Sequence, residues 1–445
     1  MKVLLINSPI YNKKVADEED FLPPLGLGYI ATQLHNDDIE AKIIDCVFEN
    51  LTTNEILKII ELEKPNFIGI NIFSVNFELV KEIIEQTKIN TSFIVGGKIT
   101  KFIYDDIINM NTMNSINVVI GEGDLITTDI VKKNLKENPI LCQYNRVVYE
   151  VSEKSIYFPK NISDLKLDRR IFEDRTILNK YNKKEQPIIT SRECLYNCAF
   201  CGGARSLNKN IPVRERNEIS IIEELMDIQD IIPDTESIRV LDDLFLKNRK
   251  SIEKAISIFK KFNFEWRGMA HVKSLQNSED LFQMLKESGC RELEIGIESG
   301  NEKIRNIIHK EGTVKEVYDI ITKILDAGIN VKGYVMYGFP NETPEQCYDT
   351  YMLVKKIHEY SLNSSGKFKP SAFQFRPYHG TELYNKIGQE ISYKHNDDLD
   401  NLVKRKQFNF TAGNFSACTN EQLNKFIIET SKLEEEDYVR TNKKM

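Results

Sequence analysis

Three of the eight cysteines of this chain fall within eight residues, in the run Cys194-Leu195-Tyr196-Asn197-Cys198-Ala199-Phe200-Cys201-Gly202-Gly203. Thiolates are the ligands of iron-sulfur clusters, and spacing this tight lets one loop wrap one cluster. A cubane has four irons, so three cysteines leave one iron without a protein ligand. Such an open metal position can chelate a small molecule.

A zinc site and plain structural thiols are the rival readings of the same run. Zinc asks for a fourth Cys or His nearby, and no histidine occurs between His35 and His271. Cys46, Cys142, Cys290, Cys347 and Cys418 are scattered singly, as buried small apolar side chains in a reducing compartment would be. The lack of a second cysteine cluster argues against an auxiliary iron-sulfur domain.

A length of 445 residues predicts two or three domains. Hydrophobic content of 41% and charged content of 29% are those of a soluble globular protein. A net charge of -7 provides no basic field for a phosphate backbone, which excludes nucleic acid as a default partner and leaves small molecules or peptides. No apolar run approaches a membrane span, and Val3-Leu4-Leu5-Ile6 is too short for a signal peptide before Asn7 and Pro9, so a cytoplasmic protein without membrane partners is expected.

The first part of the chain alternates short apolar strands with helical patterns. Strands are expected at Lys2 to Asn7, Ala41 to Asp45, Phe67 to Phe73, Ser92 to Val95 and Asn117 to Ile120, with a polar loop from Tyr11 to Asp20. Helices are expected from the Pro23-Pro24-Leu25-Gly26-Leu27-Gly28 stretch to His35, and over Asn54 to Glu63, Phe77 to Thr87 and Leu125 to Glu137. This is the pattern of a parallel, doubly wound α/β domain over residues 1–140. Gly26-x-Gly28-x-x-Ala31 with Asp45 imitates a nicotinamide dinucleotide site, but about eighteen residues separate it from the first strand, and the glycine turn has to follow that strand directly. Residues 141–186 read as a linker.

From Pro187 a second alternation begins. Ile188 to Thr190, Ser237 to Leu241, Phe264 to Ala270, Glu292 to Ile297, Val331 to Tyr337 and Ala372 to Phe375 read as six strands of an open βα barrel over residues 187–385, with the active site at their C-terminal ends. Polar motifs stand there: Asp242-Asp243, Glu298-Ser299-Gly300, Gly338-Phe339-Pro340 and Arg376. Residues 386–445 read as a small helical C-terminal extension, amphipathic over Asn420 to Leu433.

The cysteine run resembles the Cys-x3-Cys-x-aromatic-Cys signature of the radical S-adenosylmethionine (SAM) enzymes, with Phe200 as the aromatic. The resemblance implies a [4Fe-4S] cluster on Cys194, Cys198 and Cys201. It implies SAM on the open iron, cleavage of SAM to a 5'-deoxyadenosyl radical, and an electron donor such as flavodoxin or ferredoxin. It also implies that Asp242 and Asp243 hold the SAM amino group, Glu298 and Ser299 lie near ribose and carboxylate, Gly338 and Phe339 lie near adenine, Phe200 flanks cluster and adenine, and Gly202 and Gly203 let backbone approach SAM. His271, Arg267 and Arg376 are secondary candidates for substrate or proton handling.

The N-terminal domain resembles the cobalamin-binding, Rossmann-like domain that precedes many radical SAM barrels. The likeness lies in Pro23 to Ala31, Phe67-Ile68-Gly69-Ile70-Asn71, Val95-Gly96-Gly97 and Ile120-Gly121-Glu122-Gly123. It lacks the Asp-x-His-x-x-Gly motif that places an imidazole on cobalt. The combination implies a cobalamin-dependent enzyme that methylates an unactivated carbon of a small molecule or peptide. The alternatives are a non-methylating radical SAM enzyme (dehydration, epimerisation, cyclisation or rearrangement), and a ligand-sensing protein with a structural cluster.

Overall fold

Val3, Leu4, Leu5 and Ile6 are all buried because successive side chains of an extended strand point to opposite faces, and here both faces are covered. Leu4 and Ile6 pack with Ile68, Ile70, Phe93 and Val95, whereas Val3 and Leu5 pack with Leu27, Phe67 and Ile94. The computed structural model describes residues 1–9, 22–175, 177–209, 211–391 and 413–442; the loop expected from Tyr11 to Asp20 lies outside them.

In the first unit β1 (Lys2–Asn7) pairs in parallel with β2 (Glu40–Asp45) and β3 (Phe67–Asn71), and β4 (Ser92–Gly96) and β5 (Ser115–Gly121) follow. Helices α1 (Leu25–Asn36), α2 (Thr53–Glu63), α3 (Phe77–Gln86), α4 (Thr100–Ile108) and α5 (Ile126–Lys132) make the connections. The order β2-β1-β3-β4-β5 is the doubly wound arrangement expected, with its switch point between β1 and β3. α4, not anticipated, is short and broken by a non-helical Ile103, which hid its period. α5 stops early because Lys133 turns left-handed.

The sheet continues beyond residue 140. β6 (Leu141–Gln143) and β7 (Arg146–Val151) form an antiparallel hairpin, and β7 runs parallel to β5. Arg146 ties it down by donating to the carbonyls of Ile108, Asn114 and Thr112 at 2.7–2.8 Å. Chain contacts group Met1–Lys184 with Lys209–Pro233. The latter segment brings helix α6 (Glu218–Ile231), whose buried Glu224 is held between Arg169 and Arg216. Two guanidiniums outweigh burial there and hold the carboxyl below its ordinary range.

The second sheet contains β8 (Lys184–Ile188), β9 (Ser237–Val240), β10 (Glu265–Ala270), β11 (Cys290–Glu298), β12 (Asn330–Tyr337) and β13 (Phe368–Gln374). Each is parallel to, and beside, its predecessor, the serial order of a partial βα barrel. One face is apolar and takes helices such as α7 (Arg249–Phe259), where Phe259 stacks on Trp266 at 4.8 Å. Helices α8 (Val314–Asp326), α9 (Pro344–Ser361) and α10 (Asn420–Asn442) also belong to this unit. Among the described residues no helix is long and apolar enough to cross a membrane.

Candidate active site

The cysteine loop starts where β8 ends, and one buried carboxylate fixes that start. Asp242, just after β9, accepts from the Thr190 amide (2.7 Å), the Thr190 hydroxyl (2.6 Å) and the Ser191 hydroxyl (2.6 Å). Burial pushes its pKa up, and these donors oppose that. Its oxygens are thus engaged by the root of the loop. Its neighbour Asp243 is exposed and lies against the loop: a Cβ on Gly203 would sit 3.4 Å from Asp243 Oδ2 and 3.7 Å from Cys201 Sγ. The structure therefore divides the adjacent acids, one supporting the loop and one facing it.

Within the loop Ala199 is anchored from two sides, its amide donating to the Ile308 carbonyl (2.9 Å) and its carbonyl accepting from the Leu383 amide (3.0 Å). Cys198 is buried, and Cys194 and Cys201 are half-buried; none is in a disulfide. The Tyr196 amide donates to Cys194 Sγ (3.5 Å) and the Gly203 amide to Cys201 Sγ (3.3 Å), contacts that favour a thiolate. Burial pushes the Cys198 thiol up to about 12, with Lys310 opposing, so a metal has to displace its proton. Nothing lies within 4 Å of a Cβ built on Gly202, so the loop is open there. Among the described residues no three His, Cys, Asp or Glu side chains converge as ligands of a single ion.

The end of β11 is strained. Glu298 has φ +64°, a left-handed conformation uncommon outside glycine, at a register shift in the sheet. Its buried carboxylate meets Lys310 Nζ at 3.4 Å, and both side chains lie directly over Gly296, where a Cβ would come 2.3 Å from Glu298 Oε1 and 2.8 Å from Lys310 Nζ and would push the pair aside. Burial pushes Glu298 upward against the pull of Lys310 and Arg305. The Ser299 hydroxyl instead faces Thr350 Oγ1 (3.2 Å) and accepts from the Asn301 amide (3.2 Å). Arg305 clasps this turn, donating to the carbonyls of Ile297 (2.7 Å) and Ser299 (3.1 Å).

After β12, Gly338 turns at φ +93°, and the amides of Gly338 and Phe339 donate to Glu342 Oε2 at 2.6 and 3.1 Å. Glu342 is fully buried, and burial pushes it up to about 7 against these two amides. Phe339, also fully buried, lies between Phe200 of the cysteine loop (5.8 Å between centroids) and Phe375 (5.2 Å). Phe200 and the Gly338-Phe339 turn are thus brought together.

Of the secondary candidates, His271 stacks on Tyr196 at 3.9 Å, and its Nδ1 accepts from the Lys273 amide (3.2 Å). Burial, with Lys310, Arg305 and Lys273 nearby, lowers its pKa to about 2, so it is neutral. Arg267 is buried in a pair with Glu185 at 2.6 Å. Lys310, Arg305 and Glu342 are the residues that sequence reasoning passed over. Glu342 stands two residues beyond the Gly338-Phe339-Pro340 motif. Lys310 lies twelve residues beyond Glu298 with no motif to mark it.

In the first unit the C-terminal ends of β1 and β3 carry a polar cluster. Ser8 donates to Asn71 Oδ1 through its amide and hydroxyl (both 2.7 Å), Asn71 donates to Asn7 Oδ1 (2.8 Å), and Asn76 donates to Ser8 Oγ (2.7 Å). Gly97 and Gly121 are required by the fold, since a Cβ on either would sit 2.4 Å from a carbonyl, of Ile72 and Val151 respectively. Around Gly96 a Cβ would meet nothing within 4 Å, which leaves the edge open. His35, in the last turn of α1, contacts the Ala41 carbonyl (2.9 Å) near the start of β2, at the opposite sheet edge. Gly26 and Gly28 lie inside α1, where Gly28 admits Phe172 and Leu167, so they form no dinucleotide turn.

Residues 188–354 match the Radical SAM superfamily and residues 15–131 match the B12 binding domain. An uncharacterized methyltransferase of Pyrococcus horikoshii is 26% identical, covering 96% of this chain and 91% of its own length. The anaerobic magnesium-protoporphyrin IX monomethyl ester cyclase of Rubrivivax gelatinosus is 21% identical, covering 88% of this chain and 71% of its own. Among solved structures, the radical S-adenosylmethionine methyltransferase TsrM from Kitasatospora setae, with cobalamin and a [4Fe-4S] cluster bound, shares the fold with a TM-score of 0.67 at 14% identity, over 97% of this chain and 91% of that one. OxsB with aqua-cobalamin bound gives 0.66 at 16% identity, over 90% of this chain, which spans 63% of OxsB. The serial parallel sheet that follows the doubly wound sheet accords with these matches: the chain carries a B12-binding domain over residues 15–131 ahead of a radical SAM domain over residues 188–354.

Proposed function

We propose that this protein is a cobalamin-dependent methyltransferase acting on an unactivated carbon of a small-molecule or peptide substrate. The observation that carries the reading is the joining of a B12-binding domain and a three-thiol radical SAM loop in one chain. The near full-length likeness to the P. horikoshii methyltransferase supports it. When bound, a [4Fe-4S] cluster supplies the electron that cleaves SAM to a 5'-deoxyadenosyl radical, and cobalamin serves as methyl carrier.

In this reading residues 187–385 hold cluster and SAM. Cys194, Cys198 and Cys201 are the cluster ligands; the amide-to-sulfur contacts of Cys194 and Cys201 and the open face of Gly202 fit that role. Asp243, exposed beside the loop, would hold a SAM amino group, while Asp242 positions the loop. Glu298, paired with Lys310, faces the ribose, and Phe200 with Phe339 bounds the adenine. Ser299 and Glu342 act indirectly by shaping the two turns. A flavodoxin or ferredoxin serves as electron donor.

Residues 1–140 hold cobalamin at the edge formed by Ser8, Asn71 and Gly96. The donor set there is hydroxyl, amide and backbone, and these groups would hold the cofactor by hydrogen bonds, while the cofactor would supply methyl-carrier chemistry. The cyclase relative favours a second reading, a radical reaction without methyl transfer. Anaerobically reconstituted protein, supplied with cobalamin, SAM and reductant, should yield both S-adenosylhomocysteine and 5'-deoxyadenosine. The second nucleoside without the first would overturn methyl transfer and leave the non-methylating reading.

A further inference from the structure

Cys347 and Cys418 stand 71 residues apart in the chain, yet their sulfurs are 3.6 Å apart. Cys347 lies in the first turn of α9, immediately after the turn that carries Phe339, and Cys418 lies just ahead of α10. Both are buried, Cys347 fully and Cys418 to 6% exposure. The segment bearing Cys418 is stitched to that turn: the Asn341 amide donates to the Phe415 carbonyl (3.0 Å), and the Ala417 amide donates to the Glu342 carbonyl (2.9 Å). Cys418 itself is set by its amide donating to Ser416 Oγ (3.2 Å) and by Asn414 Nδ2 on its carbonyl (2.7 Å).

We propose that Cys347 and Cys418 are an oxidation site, a buried dithiol that closes to a disulfide and fastens the C-terminal segment to the Gly338–Glu342 turn. The sulfurs have to close from contact distance to a bond of about 2.05 Å, within reach of side-chain rotation where the backbone on both sides is already held. The oxidant is a low-molecular-weight disulfide such as oxidised glutathione. Cys418, the more exposed sulfur, attacks it and releases one small thiol; Cys347 then displaces the second from the mixed disulfide. Two protein thiols lose two protons and two electrons, and the oxidant leaves as two thiols.

The bond joins α9 to the segment before α10, and so spans the turn that presents Phe339 to Phe200. Reduced, the segment is held by hydrogen bonds and by apolar contacts such as Tyr337 on Phe426 at 5.8 Å. Oxidised, it cannot lift away from the turn.

The test uses the full-length reconstituted protein, exposed anaerobically to oxidised glutathione, quenched in acid, alkylated and digested. The expected result is one cross-linked peptide pair joining Cys347 and Cys418, lighter by two hydrogens than its parts, together with a higher Tm that falls back on reduction. Cys347→Ser and Cys418→Ala should each lose the cross-link and the Tm gain. Recovery of both cysteines as alkylated thiols from oxidised wild type, a measurement that needs no variant, overturns the proposal. So does their capture by Cys194 or Cys201 instead of each other.

Discussion

The two parallel sheets spend their side chains differently. In the first, both faces are apolar, so Val3 to Ile6 bury every side chain, and polar groups gather only at the strand ends around Ser8 and Asn71. In the second, residues alternate: Trp266, Leu293 and Val331 pack on one face, and Arg267, Glu294 and Lys332 occupy the other. That face is a buried charge lattice, with Arg267 on Glu185 at 2.6 Å and Arg239 on Glu294 at 3.1 Å. A sheet covered by helices on both sides can tolerate charge only at its edges, whereas one that curls on itself can pair charges across its own strands. The first sheet therefore offers an edge for a ligand, and the second offers loops above a rigid, ion-paired floor.

The largest effect should come from separating the chemistry of the units. Cys198→Ala is expected to abolish 5'-deoxyadenosine formation, measured by mass spectrometry, while added cobalamin still binds by its visible spectrum. Loss of cobalamin binding as well would break the assignment of separate roles.

Next comes the floor. Arg267→Ala removes the guanidinium that faces Glu185, Glu292 and Glu294 in a buried site and should cost about 3–5 kcal/mol in a denaturant titration. Ile70→Ala, in the apolar sheet, should cost about 2–5 kcal/mol by cavity formation. A negligible cost for Arg267→Ala would show that the charged face is not structurally coupled.

Glu342 sets a smaller, pH-dependent effect. Its carboxyl is raised from 4.5 to about 7, so the folded state holds a proton that the unfolded state has released across that window. Stability from this group is therefore full below pH 4.5 and declines as pH rises to about 7, by about 3 kcal/mol in total. Glu342→Gln, which keeps an acceptor for the Gly338 and Phe339 amides, should flatten that part of the profile; an unchanged slope would place the titration elsewhere. Smallest of all, His35→Ala should leave the cobalamin spectrum unchanged, because His35 sits at the edge of the sheet away from Ser8 and Asn71. A changed spectrum would put the ligand at the other edge.

Much of the fold was legible because strand and helix periods are local. The six strands expected for the second sheet and the five expected for the first are present within a few residues of the apolar runs that pointed to them. α4 escaped because Ile103 breaks its period, and β6 and β7 escaped because a polar hairpin such as Leu141–Val151 reads as a linker until Arg146 is seen clasping three carbonyls. In the candidate site the cysteines stood out by their spacing, whereas Phe200 and Phe339 entered only through the resemblance to radical SAM enzymes. Asp242 and Asp243 looked equivalent in the sequence, and only the packing of Thr190 and Ser191 distinguishes them.

The sequence by itself determined the chemistry available: three thiols on one loop, acids and glycines at successive strand ends, and no histidine motif in the first domain. Those features depend on residue identity and short spacing, which folding cannot alter. The tertiary structure alone decided which groups are free to act and which are already occupied, setting Lys310 on Glu298, Glu342 beneath Phe339 and Cys418 against Cys347. Such pairings join residues far apart in the chain, and they arise because buried charges and amides have to find partners wherever the packed backbone brings them.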